Sequence, residues 1–306
     1  MRIYKFNPKY FLTMGKCTLV GPAQVRDPFS EFTSPAGLHK TDINGIIHID
    51  RLYAERTEAR QELIRENPGS LACLDSGVGM LNEFYEFLMQ KFLPERYPTI
   101  FQLDVGRGTV ENLVTKEQVP LTAPADRYEA LRIINRTVEE DFLMMLPAPD
   151  GDGYSLQSFI FAYPVGFDPQ SKLGMKLREV HQPVPHYNEK LALSMDRYFS
   201  KLEPGKVQWR VNWALATSDK LCVRGEYHLY PGQEPTDTDF DLDDCRVRCE
   251  QQTVFALPKT GAKILSVHLY MYRLQELKDL GMGPEMITAI DGFDHGNAPG
   301  VHRYKR

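Results

Sequence analysis

The chain has 306 residues, 42% hydrophobic and 25% charged, the make-up of an ordinary folded protein of one elaborated domain or two modest ones. Its formal net charge of -5 lacks the basic footprint that nonspecific nucleic-acid binding or a polybasic membrane patch requires. No apolar run approaches the length that spans a bilayer, residues 1–16 carry scattered charges rather than a secretory core, and the cysteines Cys17, Cys73, Cys222, Cys245 and Cys249 form no CxxC pair. The expectation is a cytoplasmic protein with reduced thiols. Cys245 and Cys249 lack further ligands at zinc-finger spacing.

Residues 1–45, rich in Pro, Gly and Thr, read as an extended arm. Apolar residues Leu52, Tyr53, Ala59, Leu63 and Ile64 predict an amphipathic helix over 50–66. A more apolar helix is predicted over 79–93, stopped by Pro94 and Pro98. Residues 105–127, broken by Gly and Pro, read as a loop, and 126–146 as helix. The DGDG turn at 150–153 leads into a strand over 155–165. An amphipathic helix is predicted over 187–202, ended by Pro204-Gly205, and strands over 207–216, 245–257 and 262–274. Residues 231–244 form an acidic linker, and a short helix precedes the Gly/His/Pro-rich end. A strand, a helical connection and three antiparallel strands make an α+β fold. Helices on one face of such a sheet enclose a pocket, as in the PAS fold. The expected division is 1–148, an arm and mainly helical region; 149–275, the pocket-bearing core; and 276–306, the tail.

The best candidate ligand is His181, in LREVHQPVPH. Pro183 and Pro185 stiffen the backbone after it and so fix where the imidazole points. Neutral imidazole is a common ligand of haem iron. The plainer reading, a histidine hydrogen-bonded in a rigid turn, is the stronger one from these residues alone. In VQWRVNW, period two sets Gln208, Arg210 and Asn212 on one face and Trp209, Val211 and Trp213 on the other. The Trp face is expected to pack under helices. Arg210 is suited to a propionate or another carboxylate, or equally to a half-solvated sheet surface. In CRVRCEQQTV the same rule aligns Arg246, Arg248, Glu250 and Gln252, inviting cross-strand pairs with Arg210 and Asn212. Glu250 in a closed pocket would hold an amine or move protons; in water it would be one more exposed ion pair. The GxG steps in LDVGRG and SGVGM lack a nucleotide-fold context, and Ser194 and Asp196 have no nearby His in sequence.

Together, FLTMGK (11–16), IHIDRLY (47–53), RTVEEDFLMMLP (136–147), KLGMKLREVHQPVP (172–185), VQWRVNW (207–213) and the run from Val247 to Leu274 resemble the DUF3445 family. That family includes the haem-binding α subunit of haem-dependent oxidative N-demethylase, and the resemblance covers residues 10–275. It implies a PAS-like core carrying haem b and activating O2, with a small amine as substrate and electrons from a flavin/iron–sulfur reductase partner. It gives His181 the role of proximal iron ligand. It maps the RxNW stretch to Arg210, Asn212 and Trp213, and the ERQT stretch to Glu250, Gln251, Gln252 and Thr253. The cofactor-binding set is then His181, Arg210, Trp213, Arg248 and Gln252, with Glu250, Arg210 and Asn212 as catalytic candidates. The sequence departs from the family at Gln251, where Arg is expected, and at Phe167, where Trp is frequent. A haem-based sensor or a PAS-like binding protein is the alternative reading, and homo-oligomerisation is left open.

Overall fold

A computed structural model describes residues 38–184, 186–224 and 241–291. The expected arm and the acidic linker fall mostly outside them. In chain order the structure begins with strand β1 (His39–Thr41), helix α1 (Tyr53–Glu66), strand β2 (Leu71–Cys73) and helix α2 (Val78–Glu86). Next come α3 (Leu93–Arg96), three short strands β3 (Phe101–Asp104), β4 (Thr109–Asn112) and β5 (Gln118–Pro120), and α4 (Arg127–Thr137). Strands β6 (Asp141–Pro147) and β7 (Tyr154–Ile160) precede the short helices α5 (Leu177–Val180), α6 (Tyr187–Lys190) and α7 (Ala192–Lys201). Strands β8 (Val207–Ala216), β9 (Arg246–Ala256) and β10 (Lys263–Arg273) lead to α8 (Leu274–Asp279) and α9 (Gly283–Asp291).

The architecture is α+β. One seven-stranded antiparallel sheet runs β1-β8-β9-β10-β6-β7-β2, and β3-β4-β5 form a second, small sheet. Strands β9 and β10 pair along their full length, from Arg246 opposite Arg273 to Ala256 opposite Lys263. The large sheet draws strands from both sides of residue 148, since β6 pairs with β7 and β2 pairs with β7.

Helices cover both faces of the sheet rather than one. On one face Phe84 of α2 meets Phe142 of β6 and Phe255 of β9, with ring centroids 4.9 and 6.2 Å apart, in a core that α1 and α4 complete. On the other, Phe199 of α7 lies 6.0 Å from Tyr154 of β7, in a cluster with Leu156, Leu202, Val254 and Ala256. A third cluster seats Trp213 against Val247, Cys249 and Leu277, Met282 and Met286 from the end of the chain.

Three local expectations are corrected. Residues 101–120 form the small sheet rather than a loop. The helix expected over 126–146 ends at Thr137, and 141–147 is strand β6. DFLMML is apolar without alternation because β6 is covered on both faces, and such a run does not separate strand from helix by period. The helix that begins at Val78 does not stop at Pro94 but runs on to Arg96. Residues Phe87–Phe92 are wound as π-helix, and this wider turn relieves the clash that a proline ring makes with the preceding turn of an α-helix.

Candidate functional site

His181 sits at the C-terminal end of α5, and that helix is tied down from several sides. Lys176 reaches Asp150 at 2.5 Å and Asp152 at 3.3 Å, while Arg178 bridges Asp152 at 2.9 Å and Asp196 of α7 at 2.6 Å. The DGDG turn that supplies those acids is held by Gly151 and Gly153 at positive φ, and a Cβ on Gly153 would come within 3.1 Å of the Asp196 carboxylate. The Glu179 carboxylate accepts from the Lys176 amide at 2.7 Å and caps the helix. The His181 ring is fixed within this frame. Nδ1 lies 2.8 Å from the Leu177 carbonyl, to which it can only donate, so the lone pair belongs to Nε2. The Tyr187 ring lies parallel to the imidazole, with centroids 4.5 Å apart and planes 11° apart. Burial holds the His181 pKa below its usual value, against the raising effect of the Leu177 hydrogen bond and with help from the Arg210 charge. The imidazole is therefore neutral at physiological pH and keeps one oriented lone pair.

The β8–β9 ladder places Arg210 opposite Gln252 and Asn212 opposite Glu250. Arg210 Nε donates to Gln252 Oε1 at 2.9 Å, Gln252 Nε2 donates to Glu250 Oε2 at 3.1 Å, and Asn212 Nδ2 donates to the same oxygen at 3.2 Å. Arg248 closes the row. Its Nε lies 3.3 Å from Glu250 Oε1, and its Nη atoms donate to the carbonyls of Leu221 and Tyr163 at 2.9 and 2.7 Å. Arg248 thus ties two connecting segments to the sheet and helps to position the Glu250 carboxylate. Burial lowers the Arg210 pKa, and the Glu250 carboxylate partly offsets this. The structure therefore brings His181, Arg210, Asn212, Glu250 and Gln252 to one side of the sheet, beneath α5–α7. It sets Trp213 elsewhere, in the cluster against α8 and α9. Of the two departures from the family pattern, Phe167 packs on Phe161 at 5.3 Å, and Gln251 points to the opposite face, 2.7 Å from His48 Nε2.

That opposite face holds a buried polar group which reading the sequence missed. The Glu140 carboxylate accepts from the His48 amide at 2.6 Å and meets His268 Nδ1 at 2.9 Å. Arg60, fully buried on α1, pairs with Asp141 at 2.9 Å and donates to the carbonyls of Glu139 and Glu140. Desolvation raises Glu140 to about 7, partly offset by His48, and lowers His48 to about 4 and His268 to about 3. The available signal was in α1, where Tyr53, Thr57, Arg60 and Ile64 share the buried stripe at helical spacing, so an arginine occupies a core position.

Among the described residues no group of three or more His, Cys, Asp and Glu side chains is arranged to hold a metal ion. A lone, oriented His181 would suit a porphyrin-held iron, for which one protein ligand can suffice, better than a metal bound by side chains alone. Residues 37–306 match the family model of the haem-dependent oxidative N-demethylase, alpha subunit-like proteins. The chain belongs to this family. A search of curated proteins finds no match. The family's name carries haem dependence, oxidative chemistry and a small-molecule substrate to this chain at that general level. No helix among the described residues is long and apolar enough to cross a membrane.

Proposed function

We propose that the chain is a haem-dependent oxidative enzyme acting on an amine-containing small molecule, with a PAS-like pocket between α5–α7 and the β8–β9 face. The observation that carries this reading is the His181 environment: Nδ1 held by Leu177, Tyr187 stacked on one face, and Nε2 left as the ligating atom. Bound there, haem b would supply O2 activation, with electrons delivered by an external flavin/iron–sulfur reductase. The residues of the chain have separable tasks. His181 fixes the position of the iron. Gln252 orients Arg210 through its Nε, and Asn212, Gln252 and Arg248 together hold the Glu250 carboxylate in one place. Glu250 is half-buried and offers a fixed negative charge that favours a substrate ammonium or a transferred proton.

The absorption spectrum of protein supplied with haem tests this reading. The expected result is a Soret band in the wild type that is lost or shifted in His181→Ala. Amine-dependent O2 consumption with a reductant then separates an enzyme from a haem-based sensor, which would bind O2 or CO without turnover. An unchanged spectrum in His181→Ala removes His181 as the ligand, and an amine-independent rate removes the enzyme assignment.

A further inference from the structure

Above Arg210 the helices leave two phenol groups unsatisfied. The hydroxyls of Tyr187 and Tyr198 are both shielded from solvent, and neither has a hydrogen-bond partner among the described residues. Tyr187 as a whole is 5% exposed. Buried polar atoms of this kind are uncommon, and each costs free energy unless a partner arrives. Both lie on the Arg210 side of the sheet. Tyr187 stacks on His181, and Tyr198 packs into the cluster that holds Val254, two residues from Gln252 on the same face of β9. Among the described residues the Arg210 guanidinium uses Nε alone, for Gln252, and its terminal N–H groups have no acceptor. Of the nearby carboxylates, Glu250, which acts on Arg210, is also paired with Arg248, and Asp196 is paired with Arg178. His186, at the N-terminal end of α6, sits at φ 60°, ψ 11°, a left-handed conformation uncommon for a residue with a side chain, and it turns the chain so that Tyr187 lies flat on His181.

We propose that Arg210, Tyr187 and Tyr198 form a carboxylate cradle beside His181. A single guanidinium and two neutral hydroxyl donors suit one negative charge spread over two oxygens. Burial pushes both phenols up to about 12, so they remain donors at any physiological pH. The carboxylate has two sources: a propionate of the haem, or the acid group of a substrate that carries both an amine and a carboxylate. The choice between them rests on the haem reading given above; the cradle itself does not.

The test titrates the full chain, as wild type and as a Tyr187→Phe/Tyr198→Phe double variant, with haem, with haem dimethyl ester and with metal-free protoporphyrin. Porphyrin absorbance and tryptophan fluorescence are the readouts, and circular dichroism melting checks that both proteins fold. If a propionate fills the cradle, the wild type binds the free-acid porphyrins at least ~10-fold tighter than the ester, the gain expected from hydrogen bonds to a charged group. The double variant then loses that preference, and metal-free protoporphyrin shows the same loss, which separates the cradle from the iron–His181 bond. If ester and acid bind alike, calorimetry compares N-methylglycine with dimethylamine on ester-loaded and porphyrin-free protein. Preference for N-methylglycine in the wild type and not in the double variant assigns the acid to the substrate. No preference for a carboxylate in either arm overturns the proposal. Failure of all three porphyrins to bind, with N-methylglycine still preferred, overturns the haem reading and leaves the cradle standing.

Discussion

The two faces of β9 carry opposite electrostatics within consecutive residues. Glu250 and Gln252 look toward α5–α7, where the acid is fully partnered and the unused capacity is that of donors: Arg210, Tyr187 and Tyr198. Gln251, between them, looks toward α1, where the buried atoms without partners among the described residues include three carboxylate oxygens, beside Arg60 Nε and the Tyr163 hydroxyl. Among the described residues the Glu139 carboxylate there is buried without a hydrogen bond, one Glu140 oxygen is in the same state, and Arg56 approaches Glu139 only to 3.8 Å. Alternation along one strand therefore sets a half-open, donor-rich side back to back with a closed, acid-rich one. Unsatisfied donors near an opening suit an anionic ligand. Unsatisfied acceptors in a closed core are instead satisfied by taking up protons.

This contrast can be broken most forcefully at Arg60. Arg60→Met should cost about 3–5 kcal/mol, because it leaves Asp141 and two backbone carbonyls without their buried partner. Urea denaturation should show a lower midpoint with unchanged slope. A loss below about 1 kcal/mol would mean that the backbone amides of Ala162 and Tyr163, which also reach Asp141, suffice without the arginine.

The next largest effect is the pH dependence set by Glu140. Its folded pKa, about 7, lies above the ordinary 4.5, so the folded state holds a proton that the unfolded chain releases. Its contribution is complete below 4.5 and is lost as pH rises through 7. His48 and His268 have the opposite sign. Their depressed values of about 4 and 3 stabilise the fold above 6.5, and this is lost as pH falls through those values. Wild-type melting temperature should therefore peak on the mildly acidic side of neutrality. Glu140→Gln should remove the decline between about pH 6.5 and 7 and steepen the acid limb below it, the two together changing stability on the order of 3 kcal/mol across pH 4.5–7. Parallel curves for the two proteins over that range would show that Glu140 is ionised in the fold.

The smallest effect belongs to the open face. Gln252→Leu removes one oriented hydrogen bond to Arg210 and one to Glu250, and should cost no more than about 1 kcal/mol of stability. If Arg210 helps to hold the haem as proposed, Gln252→Leu would also weaken haem binding by releasing Arg210, measurable by Soret titration. A large stability loss with intact haem affinity would place Gln252 with the structural residues of the other face.

How far the sequence could be read follows the same division. Strands β8, β9 and β10 were legible because period two and β-branched or aromatic residues agree over ten or eleven positions; that period puts Arg210, Asn212, Glu250 and Gln252 on faces that can meet, while the register that sets Arg210 opposite Gln252 and Asn212 opposite Glu250 comes from the fold. Arg248 was legible as a polar residue on that face but not as a clamp on Leu221 and Tyr163, since its partners lie in segments without periodicity. The closed face was hidden. Glu139, Glu140 and Asp141 are a charge run, which on its own signals solvent, and only the fold brings Arg60 beneath them from eighty residues away. His48 and His268 are likewise separated by most of the chain, and no spacing rule joins them. The tyrosines of the cradle read as ordinary apolar positions of a packing helix, because an unsatisfied hydroxyl has no signature in sequence.

The strand order also bears on how the chain reaches this state. Strand β1 pairs with β8 across nearly 170 residues, His39 opposite Trp209, and β2 pairs with β7, Leu71 opposite Ile160. Among the described residues, both outer strands of the sheet are thus the earliest strands in sequence, and closing them requires long loops to be ordered first. Such high contact order predicts slow folding in which the central β8–β9–β10 meander forms ahead of its borders. Until β1 docks on β8 and β6 on β10, that meander presents bare strand edges, the condition under which chains pair with one another instead of with themselves.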